Sequence, residues 1–214
     1  PYRVRTGTGE RDDPLHFAPS LIRDIASVPR QEIGSHTFSH YYCLDPGQTV
    51  EQFQADLASA VAIARAKGIA LRSLVLPRHQ VRADYLPAIA RAGFIAHRGP
   101  EPHRLARPGP SFDDALSVRG ARVVDSYLPL TGANVVPWSS TTPDVHGLVD
   151  VRESRFLRPV AKHVPGAETL RVARIAHAMR QASRSRGLLH VWWHPHNFGV
   201  ELEANLANLR ALLD

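Results

Sequence analysis

Leu71–Arg98 reads LRSLVLPRHQVRADYLPAIARAGFIAHR. SLVL is a short apolar run closed by Pro77, the pattern of a buried strand. YLPAIARAG repeats apolar residues at helical spacing and stops at Gly93, a residue suited to the turn that ends a helix. FIAHR then begins a second strand. Strand, helix and strand at this spacing predict parallel pairing through a crossover helix.

The pattern extends outward from this unit. Upstream, Thr49 followed by Gln52 is a capping-box pattern. Phe53, Leu57, Ala60, Val61 and Ala64 form an apolar stripe that Gly68 stops, so a helix is expected over Thr49–Gly68. Before it, EIGSH reads as a short strand ending in a polar turn, and YYCLDPGQ as a loop. Leu15–Ser27 has a helical period with Pro19 in its first turn, and residues 1–14 read as loop. Downstream, Thr169–Ser183 and Glu201–Leu213 read as helices, and GLLHVWWHPH as a strand running into a polar loop. Between Pro100 and Gly166 proline and glycine recur (PEPHRLARPGP, PLTGANVVPWSSTTPD). Long loops are expected there, with one short element in VRGARVVDSYL. The alternation predicts an α/β fold with parallel strands, whose chemistry sits on the loops that follow the strands.

At 214 residues the chain suffices for one domain over residues 1–214. Hydrophobic residues at 43 % beside 21 % charged exclude disorder as the main state. No apolar run reaches the roughly 18 residues of a membrane span, so none is expected. PYRVRTGTGERDDP has neither an apolar leader nor an initial Met, and a fragment or processed form is expected. Cys43 stands alone, which rules out an internal disulfide. The net charge of +6 comes almost wholly from arginine, since only Lys67 and Lys162 are lysines. The arginines form no run, the densest patch being Arg180–Arg186. No recognition motif accompanies them, so nucleic acid is not an expected partner.

Two histidine groups carry the chemistry. In HTFSH, His36 and His40 stand four residues apart, a spacing that lets both imidazoles face one metal ion from a helical turn or tight loop. Glu32 is a candidate polar partner for them. A working zinc site needs a third protein ligand and an open position. In HVWWHPHN, His190 and His194 share a face if the segment is a strand. His190 lies between apolar residues and reads as a core histidine. His194 precedes Pro195 and can face a loop cavity, where it suits a general acid. Trp192 and Trp193 point to opposite sides, one to the core and one to a wall suited to sugar C–H surfaces. Trp193 and His196 are the expected substrate-side residues. Arg78, after SLVLP, is a candidate to orient a carboxylate. Cys43 reads as a small buried residue rather than a nucleophile. Phosphate loop, dinucleotide fingerprint and nucleophile-elbow serine are all missing.

At these residues the chain resembles the polysaccharide deacetylases, the metal-dependent carbohydrate esterase family 4. EIGSHTFSH is similar to the family's metal motif, SLVLPRHQ with YLPAIARAGF to its third motif, and VWWH to its late histidine motif. The likeness covers roughly residues 30–98 and 187–214. It implies a distorted (β/α) barrel, here N-terminally incomplete, and a divalent ion, usually zinc, held by His36 and His40. It also implies His194 as the catalytic acid, Arg78 of the third motif as the residue that holds the base, and an acetylated glycan as substrate. The reaction it implies is removal of an acetyl group, N-acetyl first.

The pattern departs from the family at three points. No Thr-Phe-Asp-Asp-like segment, the source of base and third ligand, precedes the histidine pair; Asp12 and Asp13 follow Gly-Glu-Arg instead. The arginine of PRHQ comes after its proline. No aspartate–tryptophan motif marks the middle, where Asp125 and Trp138 are the available pair. A non-catalytic carbohydrate-binding domain that has lost its base is therefore a second expectation, and another metal-dependent hydrolase on a barrel is a third.

Overall fold

The computed structural model describes residues 5–101, 103, 116–160 and 166–214. Much of PEPHRLARPGP, expected to be loop, lies outside the described residues, as does Lys162.

Short parallel strands form a three-stranded and a two-stranded sheet, each in the order of the sequence. Ser35 bridges Leu74. β1 (Ser73–Val75) pairs with β2 (Ala96–Arg98), and β2 with β3 (Val149–Asp150). Beyond β3 the chain stays beside β2, with Glu153 N donating to Gly99 O at 3.0 Å. It then enters β4 (Arg155–Phe156), which pairs with β5 (Val191–Trp192). Each of these pairings is parallel. The order never reverses, unlike that of a doubly wound sheet. The fold is thus mixed α/β with short parallel strands, and no closed barrel is seen among the described residues.

α1 is Pro19–Ser27, α2 Val50–Ala66, α3 Leu86–Arg91, α4 Leu116–Tyr127 and α5 Ala167–Ser185. A short turn, α6 (Pro195–Phe198), precedes α7 (Leu202–Leu213). α2 and α3 pack against β1, and α5 and α7 against the second sheet. The capping box forms at α2. Thr49 Oγ1 accepts from Gln52 N at 3.2 Å, and Gln52 Oε1 accepts from Thr49 N at 3.1 Å. Such a cap is worth about 1 kcal/mol. Phe53 and Leu57 of α2, Ala88 and Ile89 of α3, and Leu74 of β1 form the first core, with Tyr41, Cys43, Tyr85 and Phe94. A second core joins Leu157, Ile175, Phe198 and Leu212, and Val191 packs against it. No helix of the described residues is long and apolar enough to cross a membrane.

Register decides which side chains leave the core. Leu74, His97 and Asp150 are partners across the sheet and share a face, and Leu74 lies in the first core. Val75 and Arg98, also partners, therefore lie on the opposite face.

The elements depart from expectation in four places. EIGSH contributes only the bridge at Ser35. GLLHVWWHPH contributes a bridge from Leu188 to Val136 and the strand Val191–Trp192, and Pro195 then starts a helical turn. The short element in VRGARVVDSYL is a helix of 12 residues, α4. α1 begins at Pro19 rather than Leu15 and buries none of its residues.

Candidate active site

The loops that leave the C-terminal ends of the parallel strands gather four histidines. His36 and His40 follow the Ser35 bridge, His79 follows β1 and His194 follows β5. Both of the first two loops are strained. Thr37, His40, Arg78 and His79 have φ of 64°, 59°, 52° and 56°. Left-handed backbone is unfavourable for residues with side chains, and for a β-branched residue such as Thr37 most of all. Such conformations persist where surrounding structure enforces them, and they cluster at functional sites.

The enforcing contacts are specific. Asp56, a buried residue of α2, accepts hydrogen bonds from Phe38 N at 2.7 Å and Ser39 N at 2.8 Å. Tyr41 N donates to Thr37 Oγ1 at 2.8 Å. HTFSH is therefore a tight loop clamped to a helix, one of the two forms its spacing allowed. The loop after β1 is anchored by Gln80, fully buried, whose Oε1 accepts from Leu44 N at 2.9 Å.

Within the clamp the His36 and His40 rings lie 4.7 Å apart, edge to face. His36 Nδ1 lies 2.7 Å from the Val75 carbonyl oxygen, so it carries the hydrogen and donates. That fixes the tautomer and leaves Nε2 with its lone pair free for a ligand. Partial burial holds the His36 imidazole below the usual histidine range, and nearby His40, Arg98 and His194 add to the effect while the Val75 carbonyl opposes it. His36 is thus neutral at pH 7, as metal ligation requires. No three His, Cys, Asp or Glu side chains converge to hold an ion among the described residues. Glu32 is exposed, and the His36 ring is oriented by Val75.

The late histidine motif meets the same site from the other edge. His190, Trp192 and His194 alternate along β5 and its extension. The His194 ring lies 5.3 Å from Trp192 and stacks on His196 at 5.2 Å. Partial burial, His196 and Arg98 hold His194 below its usual value. Trp192 is the aromatic side chain that reaches the site. Its ring lies 4.9 Å from His79, and Arg98 Cζ sits 4.5 Å from the centre of its ring. Trp193 faces the other way and stacks on Phe198 of the second core. His190 is held within the sheet, its N donating to Ser154 Oγ at 3.0 Å. Arg78 is exposed and lies over the Tyr42 ring at 5.7 Å.

The remaining acidic expectations are used elsewhere. Asp12 and Asp13 accept from Thr8 N and Gly7 N, each at 2.8 Å, and close a local turn. Asp125 binds Arg155 and Arg174 in a buried ion-pair cluster, and Trp138 is exposed. Cys43 is fully buried and its thiol is pushed up to about 12 by that burial, which removes it as a nucleophile at neutral pH.

One acidic residue that sequence reasoning missed does reach the site. Glu153, 4 % exposed, brings Oε2 to 3.2 Å from His79 Nδ1 and 3.9 Å from Arg98 Nε. Nothing local announces it, because its partners come from β2 and from the loop after β1.

The pair makes a testable contribution to stability. Burial pushes Glu153 up to about 7, Glu101 adding and Arg98 opposing. Burial pushes His79 down to about 3, reinforced by Arg98, His194, His36 and Arg122. Unfolded, the two groups have ordinary values of 4.5 and 6.5. Between those values the folded pair holds one proton, on Glu153, and the unfolded pair also holds one, on His79. Stability is then flat with pH in that window. Below about 4.5 the unfolded chain binds a second proton that folded His79 refuses down to about 3, so stability falls with acid. Above about 6.5 folded Glu153 keeps a proton that the unfolded chain has released, so stability falls slightly until about 7. Urea midpoints of the wild type, less those of an E153Q/H79Q double variant, are expected to trace this plateau. A difference that slopes through the plateau would count against the assignment.

Comparison with known proteins adds no family: no family model, curated protein or solved structure matches the chain.

Proposed function

We propose that the chain is a polysaccharide deacetylase-like hydrolase, which removes acetyl groups, N-acetyl first, from a glycan. The observation that carries this reading is the convergence of His36, His40 and His194 on loops at the C-terminal ends of parallel strands laid down in sequence order. That order is the one a (β/α) barrel uses, and those ends are where barrels hold their chemistry. We read the strands as an arc of such a barrel.

His36 and His40 would hold a divalent ion, zinc by the softness of imidazole ligands. His36 fits the role through its free Nε2 and its neutral ring; a third protein donor is not found among the described residues. The ion, when bound, supplies Lewis acidity toward the acetamide carbonyl. The chain's own residues do the rest. His194, exposed beside Trp192, delivers a proton to the departing amine nitrogen as the C–N bond breaks. Trp192, backed by Arg98, offers the flat apolar wall on which a sugar ring can stack. His196 stacks on His194 and extends the site outward.

The test is zinc stoichiometry together with acetate release from acetylated chitooligosaccharides. One zinc per chain and acetate release are expected. Zinc binding with no acetate release would favour the non-catalytic glycan-binding reading, which the incomplete ligand set among the described residues keeps open. Absence of both would remove the deacetylase reading.

A further inference from the structure

We propose that His79 is the catalytic base of this site and that Glu153 is its positioning residue, the two working as a carboxylate–imidazole pair. The inference rests on the deacetylase reading, which needs a group to take a proton from the attacking water and found none in the sequence.

The geometry is that of a pair built for one task. Glu153 Oε2 lies 3.2 Å from His79 Nδ1. Both groups are largely enclosed, with side-chain exposures of 5 % and 19 %. Arg98 and Trp192 close the assembly, the former 3.9 Å from Glu153 Oε2 and the latter 4.9 Å from the His79 ring. Four buried polar atoms meet there without a satisfying hydrogen bond among the described residues: His79 Nδ1, Glu153 Oε2, Arg98 Nε and Trp192 Nε1. A purely structural network is normally satisfied, and a knot of unsatisfied groups asks for a functional explanation. The backbone at His79 is left-handed, so the fold holds the ring there at a conformational cost.

The position suits the task. The His79 and His194 rings both lie against the Trp192 indole, at 4.9 Å and 5.3 Å. Charged groups facing the pair are Arg98 from β2, Glu101 from the loop after β2, Arg122 from α4, and His36 and His194. In this scheme Nδ1 carries the hydrogen toward the Glu153 carboxylate, 3.2 Å away, and Nε2 carries the lone pair. Nε2 takes a proton from water as the water oxygen bonds to the acetyl carbon. The imidazolium so formed is balanced by Glu153. The C–N bond then breaks as the amine nitrogen takes a proton from His194, which has first gained it from solvent. The products are acetate and a free amine, and proton exchange with solvent resets both histidines.

The test uses the full chain with zinc supplied, ¹⁵N-labelled at histidine, as wild type, E153Q, E153D and H79Q. H79Q assigns the His79 resonances. In the wild type His79 is expected to show Nδ1–H above about pH 7, with a step near that pH which E153Q abolishes. Acetate release is expected to fall about 100-fold or more in H79Q and E153Q, in kcat rather than KM, with E153D retaining more than E153Q. Identical His79 shifts in wild type and E153Q would overturn the pair. Acetate release by E153Q within about threefold of wild type would overturn the role and leave the deacetylase reading intact. Failure of the wild type to release acetate would end that reading and this role together.

Discussion

Replacing Asp125 with alanine is expected to destabilise the chain by about 3–5 kcal/mol, the range for breaking a buried ion pair by removing one partner. Asp125 lies on α4 and is 7 % exposed. Its Oδ2 accepts from Arg155 Nη1 at 3.1 Å and from Arg174 Nη2 at 3.0 Å, and its Oδ1 accepts from Thr131 N at 2.8 Å. One carboxylate thereby joins α4, β4 and α5. The two arginine side chains are 3 % and 8 % exposed. Alanine would strand two guanidinium charges away from water, and Arg155 would keep Glu101 at 3.0 Å. Asp125→Asn keeps the shape and some hydrogen bonds, and a smaller loss is expected. Equilibrium urea unfolding measures both. A loss below about 1 kcal/mol for the alanine variant would mean that the arginines find other partners or reach solvent.

His36→Ala has the largest expected effect on function. Zinc affinity is expected to fall by about 100-fold or more, since even groups that merely orient a ligand are worth about 10- to 100-fold. Acetate release should fall with it. The fold should change little, by less than about 1 kcal/mol, because the ring lies outside the buried cores and its hydrogen bond goes to a strand-end carbonyl. Calorimetric zinc titration and urea unfolding of the same variant separate the two effects. If zinc binds the variant as it binds the wild type, His36 is no ligand. A stability loss as large as that of Asp125→Ala would instead make it a structural residue.

Local signals explain what could be read from the chain beforehand. Thr49, Gln52 and Gly68 bound α2 through contacts a few residues long, and Gly93 ends α3 in the same way. The strands around Leu74 and His97 follow from the short apolar runs that hold them. Period two along HVWWHPH separates Trp192 from Trp193, although it does not say which faces the second core; Phe198 decides that. Glu153 and Asp56 could not have been found this way. Glu153 meets His79 only because β3 lies beside β2, and Asp56 clamps HTFSH only because α2 folds back over it. The strain at Thr37 and His40 is likewise invisible in a string of residues, since it is imposed by that clamp.

The strand order also bears on how the chain reaches its folded state. β2 pairs with β1, β3 with β2, and β5 with β4, so within each sheet strands add in the order of the sequence. Among these pairings Leu74 with His97 is the closest in sequence, with α3 the one α-helix between them. Its loop closes at the smallest entropic cost, and its contacts bury Leu74, Ile89 and Phe94 together. The segment whose alternation defines the fold is then also the segment expected to nucleate it. β4 and β5, separated by α5 and joined by a short ladder, are expected to settle late, after the loops bearing His36 and His79 already have their frame.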